Sequence, residues 1–336
     1  MQIVITGGAG FLGARLARKL LARGGIGVGG GKEHRIGTIT LVDRVQPPDD
    51  LADHPKVNVI VGDLCELLAP DSPQRALPPE TAVVFHLAAA VSGESEADFE
   101  LGMRSNFLAT YALLEACRTQ HTRPLVVYAS SLAVYGAPLP YVIEDDTLPT
   151  PQTSYGTQKY VGEQLMADYG RKGYIHARSV RLMTVAVRPG EPNGAASSFL
   201  SGMFREPLAG LPSRCPVPPE TMVALSSPSR TIEGLMCAAT APHAKWGPRT
   251  AVNLPSLCVS VDEMVQALHR IGGTAATDLL DMRPDRAITE IVAGWPGRFE
   301  WVRARDLGLF ADESIDAILR DYVRENPDAV TLPLAA

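Results

Sequence analysis

Tyr155 and Lys159 stand four residues apart in QTSYGTQKYVGEQL, residues 152–165. On a helix that spacing puts both side chains on one face. An ammonium group there favours the phenolate, so a phenol with an ordinary pKa near 10 becomes a base usable at neutral pH. The same spacing describes a surface pair worth about 0.2–0.5 kcal/mol to its helix. With 9 tyrosines and 6 lysines among 336 residues, one such pair arises by accident with roughly one chance in six. The elements around the pair decide between the two readings.

Those elements alternate. Short β-branched runs (QIVIT, GTITLVD, KVNVIVGD, TAVVFHLA, RPLVVYASS) are separated by helical patterns, beginning with FLGARLARKLLARG. This order predicts βαβ units and a buried parallel sheet. A long helix is predicted over about 96–118, with Met103, Phe107, Thr110, Leu114 and Cys117 on one face as core or dimer surface. After Lys159 one more strand, HARSVRLMTV, precedes a Pro- and Gly-rich region from VRPGEPNGAASSF to PSRCPVPPE, which marks where the chain leaves the sheet. Helices at 228–240, 261–271 and 313–325, with a strand at TAVNLP, complete a smaller α+β portion. The expected division is a dinucleotide-binding domain over 1–183 and a mainly substrate-binding portion over 184–336. The expected fold class is α/β, a doubly wound parallel sheet of the Rossmann type.

Two glycine-rich stretches read differently. TGGAGFLG, residues 6–13, follows the first strand and opens the first helix. Gly7 permits the tight turn, Gly10 lets the backbone approach a pyrophosphate, and Gly13 permits close packing of helix on strand. The second strand ends in LVDR, so Asp43 is placed to bind adenosine ribose hydroxyls and to repel a 2′-phosphate, which favours NAD over NADP. GGIGVGGG, residues 24–31, follows a helix instead. That is the wrong end of a βα unit for holding an anion, and it reads as a flexible loop insertion.

Composition excludes several classes. A formal charge of −6 and a pI near 5.7, with Lys and Arg scattered, offer no basic stripe for nucleic acid. Five cysteines form no C-x-x-C, and no His pair has H-E-x-x-H spacing, so no metal site is expected and the thiols read as reduced. The first strand starts at residue 2, and no apolar run approaches the roughly 18 residues of a membrane span. A soluble cytoplasmic protein is the expectation.

Taken in order, TGGAGFLG, GDL, HLAA, RSNFLAT, ASSLAVYG and SYGTQK resemble the extended short-chain dehydrogenase/reductase superfamily. The resemblance implies a catalytic Ser131, Tyr155 and Lys159. Tyr155 takes the hydroxyl proton as the adjacent carbon delivers hydride to NAD, Ser131 bonds the same oxygen, and Lys159 also holds the nicotinamide ribose. It also implies cofactor contacts at Gly7, Gly10, Phe11, Leu12, Gly13, Asp43, Asp63, Leu64, Leu87, Ala88, Ala89 and Asn106. Asp63 and Leu64 would border the adenine. His86, within HLAA, reads as a packed strand residue.

Three reactions share this machinery: epimerisation of nucleotide sugars, their dehydration, and alcohol oxidation. Dehydratases carry Thr-Asp-Glu where this chain has Ser131-Leu132-Ala133, so their acid and base are missing. HLAAAVSGESEADFELGM, VRPGEPNGAASSF, REPLAG and WPGRF are similar to the D-erythronate dehydrogenase family, which oxidises C2 of a four-carbon sugar acid. A nucleotide-sugar epimerase and a non-catalytic NAD sensor stay as alternatives. The resemblance implies substrate contacts at Ser92, Ser131 and Tyr155, with Arg230 or Arg298 on the carboxylate, and a homodimer. Met183 departs from it, standing where proline is expected.

Overall fold

The computed structural model describes every residue except 193, 248, 249 and 336. The strands are β1 (Gln2–Thr6), β2 (Gly25–Gly27), β3 (Glu33–Arg35), β4 (Thr38–Asp43), β5 (Val57–Val61), β6 (Thr81–His86), β7 (Leu125–Ser131), β8 (His176–Leu182), β9 (Thr184–Val185), β10 (Ser213–Cys215), β11 (Met222–Ser226), β12 (Val252–Asn253), β13 (Leu257–Ser260) and β14 (Leu280–Met282). A seven-stranded sheet runs in the order β12-β8-β7-β6-β1-β4-β5, with β1 parallel to β4 and β6, β4 to β5, and β6 to β7. Flanked by helices, this is a Rossmann-type α/β fold. Strand order reverses between β1 and β6, and dinucleotides bind at the carboxyl ends of strands beside such a switch point. The β-branched runs become strands because both faces of the sheet are covered: Ile3, Val4, Ile5, Val83, Val84, Phe85, Val126 and Val127 are all buried.

Helix α1 (Phe11–Arg23) follows β1; α2 (Asp49–Ala52) and α3 (Leu64–Leu67) flank β5. The predicted helix over 96–118 is broken. It begins as α4 (Ser92–Ala97), restarts at the Asp98 cap as α5 (Phe99–Gly102), passes through a π turn (Met103–Leu108) and ends as α6 (Ala109–Arg118). A π turn inserts extra residues per turn, so the predicted face holds only in part. Thr110, Leu114 and Cys117 are buried, whereas Met103 and Phe107 are half-buried and Asn106 takes the inner position. Helix α7 (Ser154–Arg171) leads into β8.

The glycine insertion is not a flexible loop. β2 and β3 pair as an antiparallel hairpin, and the left-handed Gly29 between them lies so close to the His243 ring that a side chain would overlap it. Contacts with a distant segment order what composition marked as flexible.

Two compact units emerge, and they do not divide at a single point near residue 183. One comprises Met1–Ser131, Thr153–Arg181 and Ile232–Val252; the other comprises Leu132–Gln152, Leu182–Thr231 and Asn253–Ala336. The second unit holds a three-stranded sheet, β13-β11-β9, and the parallel pair β10 and β14. Helices α8 (Ser198–Leu208), α10 (Val261–Thr277) and α11 (Ile315–Glu325) supply core residues Phe204, Met264, Leu268 and Leu319. Helix α9 (Pro228–Thr240) begins in this unit and ends in the first. Met183 is buried against Leu132, Ala224 and Phe299. No described helix is long and apolar enough to cross a membrane.

Candidate active site

The glycine turn between β1 and α1 is fixed by sterics and by Asp43. Gly7 has φ of +72°, and a Cβ there would lie 2.7 Å from the Ala88 amide nitrogen. A Cβ on Gly13 would overlap the Gly7 carbonyl oxygen, so only glycine lets α1 start this close to the strand. Gly10 is less crowded: a Cβ there would lie 3.3 Å from that same oxygen, tighter than an ordinary contact but short of overlap. It is the N-cap of α1, so the turn lies at a helix N-terminus, where the helix dipole favours an anion. Phe11, Leu12 and Gly13 form that first turn. At the end of β4, Asp43 accepts from the Ala9 amide (2.9 Å) and from the Arg44 amide (2.7 Å), tying the carboxylate to the glycine turn. A helix N-terminus, a Cβ-free approach and a neighbouring carboxylate fit a dinucleotide with an unphosphorylated adenosine ribose.

Asp63 caps α3 by accepting from the Cys65 amide and also accepts from Arg104 Nε, both at 2.9 Å. Leu87 and Ala88 follow β6 and donate their amides to Thr6, at 3.0 Å to its carbonyl and 3.3 Å to its hydroxyl. His86 is the buried strand residue its sequence suggests. Its Nδ1 lies 2.6 Å from Thr6 Oγ1 and its Nε2 2.9 Å from Thr110 Oγ1; burial, followed by the Lys159 charge, pushes its pKa down to about 3. Asn106, which the resemblance makes a cofactor contact, has its amide engaged inside the protein. It accepts from the Ala90 amide and donates to the Ala90 carbonyl, Ser95 and Gln158. It therefore supports the loop that carries Ala88, Ala89 and Ala90. Ser92 opens α4, half-buried.

The three catalytic candidates share one unit. Ser131 is the last residue of β7. Tyr155 is half-buried in the first turn of α7, whose start is set by Thr153 accepting from the Gly156 amide at 3.1 Å. Lys159, one turn on, is 2% exposed. Its Nζ donates to the Ala129 carbonyl at 3.0 Å and lies 5.1 Å from the Tyr128 ring centre and 5.7 Å from that of Tyr155. Burial pushes its pKa down to about 8. Tyr155 and Lys159 are thus not a solvated surface pair: a buried ammonium is held against the phenol ring by a backbone carbonyl of the strand that ends in Ser131.

Arg230 and Arg298 both belong to the second unit, half-buried. Arg230 lies in the first turn of α9, its amide donating to Ser227 Oγ at 3.1 Å. Arg298 sits 4.9 Å over the ring of Tyr141, itself 79% exposed, and its carbonyl accepts from the Ile143 amide. Among the described residues no three His, Cys, Asp or Glu side chains are grouped to hold a metal.

A profile of the NAD dependent epimerase/dehydratase family matches residues 3–223. The chain belongs to that family. As a member it is an NAD-dependent oxidoreductase of the extended short-chain dehydrogenase/reductase type. D-erythronate dehydrogenase of Cupriavidus necator is 45% identical over 97% of this chain and 98% of its own, and that of Haemophilus influenzae is 38% identical over 96% and 99%. Among solved structures, a nucleoside-diphosphate-sugar epimerase from Agrobacterium tumefaciens superposes with a TM-score of 0.89 at 37% identity, covering 98% of this chain and 95% of that one.

The residues absent from the motif reading are those that hold the motif. Glu163, Arg181 and Ser130 form a buried cluster next to Lys159 and Ser131. Two signals for it existed: Glu163 four residues after Lys159, and an arginine inside the apolar strand HARSVRLMTV.

Proposed function

We propose that this protein oxidises the C2 hydroxyl of D-erythronate to the 2-oxo acid, with Tyr155 as the general base. The observation that carries the reading is the buried Lys159 ammonium beside the Tyr155 ring. The positive charge stabilises the phenolate and brings its pKa toward neutrality, so Tyr155 takes the C2 hydroxyl proton. Ser131 hydrogen-bonds the same oxygen and holds it against the phenolate. Bound NAD supplies the hydride acceptor. The glycine turn and α1 amides receive the pyrophosphate, and Asp43 receives the adenosine ribose.

The substrate class follows from the two dehydrogenases of that name, each matched over nearly its full length. A sugar acid presents a carboxylate, whose two oxygens match the paired donors of a guanidinium. Arg230 is preferred for this role, because the Arg298 guanidinium is stacked on a solvent-facing tyrosine. The protein acts in the cytoplasm as a homodimer. Phe99, Leu108 and Tyr111 on the α5–α6 segment and Val161 on α7 are exposed apolar residues suited to pairing with a second copy.

Purified protein given NAD and a panel of sugar acids should form NADH with D-erythronate. No NADH from any acid, together with interconversion of a UDP-sugar, would replace this reading with the epimerase. A sedimentation mass equal to the 35.9 kDa chain at micromolar concentration would remove the dimer.

A further inference from the structure

Helix α7 carries a third ionisable side chain in line with Tyr155 and Lys159. Glu163 follows Lys159 by four residues, so the three lie along one stripe. It is 3% exposed, and its carboxylate accepts three hydrogen bonds: from Ser130 Oγ at 2.5 Å and Arg181 Nε at 2.9 Å on Oε1, and from Arg181 Nη2 at 2.7 Å on Oε2. Ser130 and Arg181 are as deeply buried as Glu163. A buried ion pair is seldom more stabilising than apolar packing of the same volume, so stability alone is a weak reason for it. Its placement suggests another. Residues 129 to 131 of β7 are tied to α7 at two successive turns: Ala129 holds Lys159, Ser130 holds Glu163, and Ser131 comes next.

We propose that Glu163 and Arg181 are positioning residues for the reaction. Their clamp sets the register of α7 on the end of β7, and the Arg181 guanidinium neutralises Glu163 so that the Lys159 ammonium stays uncompensated beside Tyr155. The inference rests on Tyr155 being the base. Left unpaired, a carboxylate one turn from Lys159 would draw on that charge and oppose the phenolate.

The other charged groups packed around α7 leave this balance alone. His86 on β6 is neutral. Tyr128 on β7 stays protonated, its pKa held well above 10 by burial first and then by the charges of Tyr155 and Glu163. On α4, Glu96 accepts from the Ser154 amide at 3.0 Å and Glu94 from the Val91 amide at 3.0 Å. Glu100 on α5 is exposed, Arg104 in the π turn pairs with Asp63 and Glu66, and Glu115 on α6 with Arg118. Among the described residues Lys159 has no carboxylate partner.

The test is the pH profile of kcat/KM. Glu163→Gln makes the buried cluster one unit more positive. Eight residues of helix place it about 12 Å from Tyr155, where a unit charge at an effective dielectric near 20 moves a pKa by about one unit. The extra positive charge favours the Tyr155 phenolate and disfavours the Lys159 ammonium, which lies only about 6 Å away along the helix, so the Tyr155 limb should move about one unit to lower pH and the Lys159 limb about two. The neutral double variant Glu163→Gln/Arg181→Met should return both limbs to wild-type positions while kcat stays down about tenfold, because the register is slack. Limbs that stay in place in folded Glu163→Gln overturn the charge role. If that variant does not fold, the double variant decides, and a wild-type kcat there overturns the register role. Tyr155→Phe measured alongside separates the two levels: activity retained in it removes the base, a failure that shifted limbs in Glu163→Gln would not reproduce.

Discussion

The residues proposed to act on the reacting hydroxyl and those proposed to recognise the acid are supported in different ways. Ser131, Tyr155 and Lys159 sit at the end of a central strand and in the first two turns of an 18-residue helix; Lys159 is tied to that strand through the Ala129 carbonyl, and the buried Glu163–Arg181 pair follows one turn further on. Arg230 and Arg298 sit in the first turn of α9 and in a segment that meets Ile143 through an isolated bridge. The difference teaches where each demand falls. Proton transfer needs a phenol and an ammonium placed to a fraction of an ångström, which packed elements supply. Holding a carboxylate needs one correctly aimed guanidinium, which the first turn of a helix can carry.

The largest effect expected is on the rigid side. Tyr155→Phe removes only the titrating oxygen; kcat should fall by about 10² or more, with NAD affinity unchanged in a binding titration. If more than about a tenth of the wild-type rate survives, the base is misassigned. Gly13→Ala should come next. Its methyl overlaps the Gly7 carbonyl, so α1 must move, at a cost of about 1–3 kcal/mol. Calorimetry should show a lower Tm and isothermal titration a weaker Kd for NAD, with kcat at saturating NAD less affected.

On the recognition side, Arg230→Ala should raise KM for D-erythronate at least about tenfold, since a charge-assisted hydrogen bond contributes about 1.5–3 kcal/mol. NAD affinity should hold. Arg298→Ala should leave KM within about fivefold, the loss of an exposed cation–π contact being worth about 0.5–1 kcal/mol. If the two variants exchange these outcomes in steady-state kinetics, the anchor is Arg298.

Near neutral pH the smallest effect is a pH dependence of stability within the first unit. His86 ordinarily titrates near 6.5 and is held near 3 in the fold. The unfolded chain therefore binds the extra proton between those values, and stability should fall as pH drops from about 6.5 toward 3. Replacing His86 with Gln should flatten that limb of the Tm profile; an unchanged limb would place the acid sensitivity elsewhere.

Some of this was open to reading from residue types and local spacing. Tyr155 and Lys159 lie within one helical turn, the glycines of residues 7–13 follow a β-branched run, and the strands of the sheet are continuous apolar segments. Each is a short-range pattern that a helix or strand converts directly into geometry. The π turn at Met103–Leu108 was not open to reading, because nothing local distinguishes it from an ordinary turn; with it went the inner position of Asn106. Residues 24–31 misled for the same reason. Their order comes from His243, more than 200 residues further along the chain.

By itself the sequence determined which elements form and which groups are the candidates for the proposed chemistry: a phenol, an amine and a hydroxyl at the ends of adjacent elements, with a glycine turn ahead of a helix. Those are consequences of periodicity and of the φ/ψ each residue allows. Only the tertiary structure decided that Lys159 is buried without a carboxylate partner among the described residues, that Glu163 meets Arg181 and Ser130 across gaps of 18 and 33 residues, and that His86 is neutral. These depend on which distant segments close over a charge and how much water they exclude. Desolvation and pairing are properties of the packed neighbourhood, and no single stretch of chain contains it.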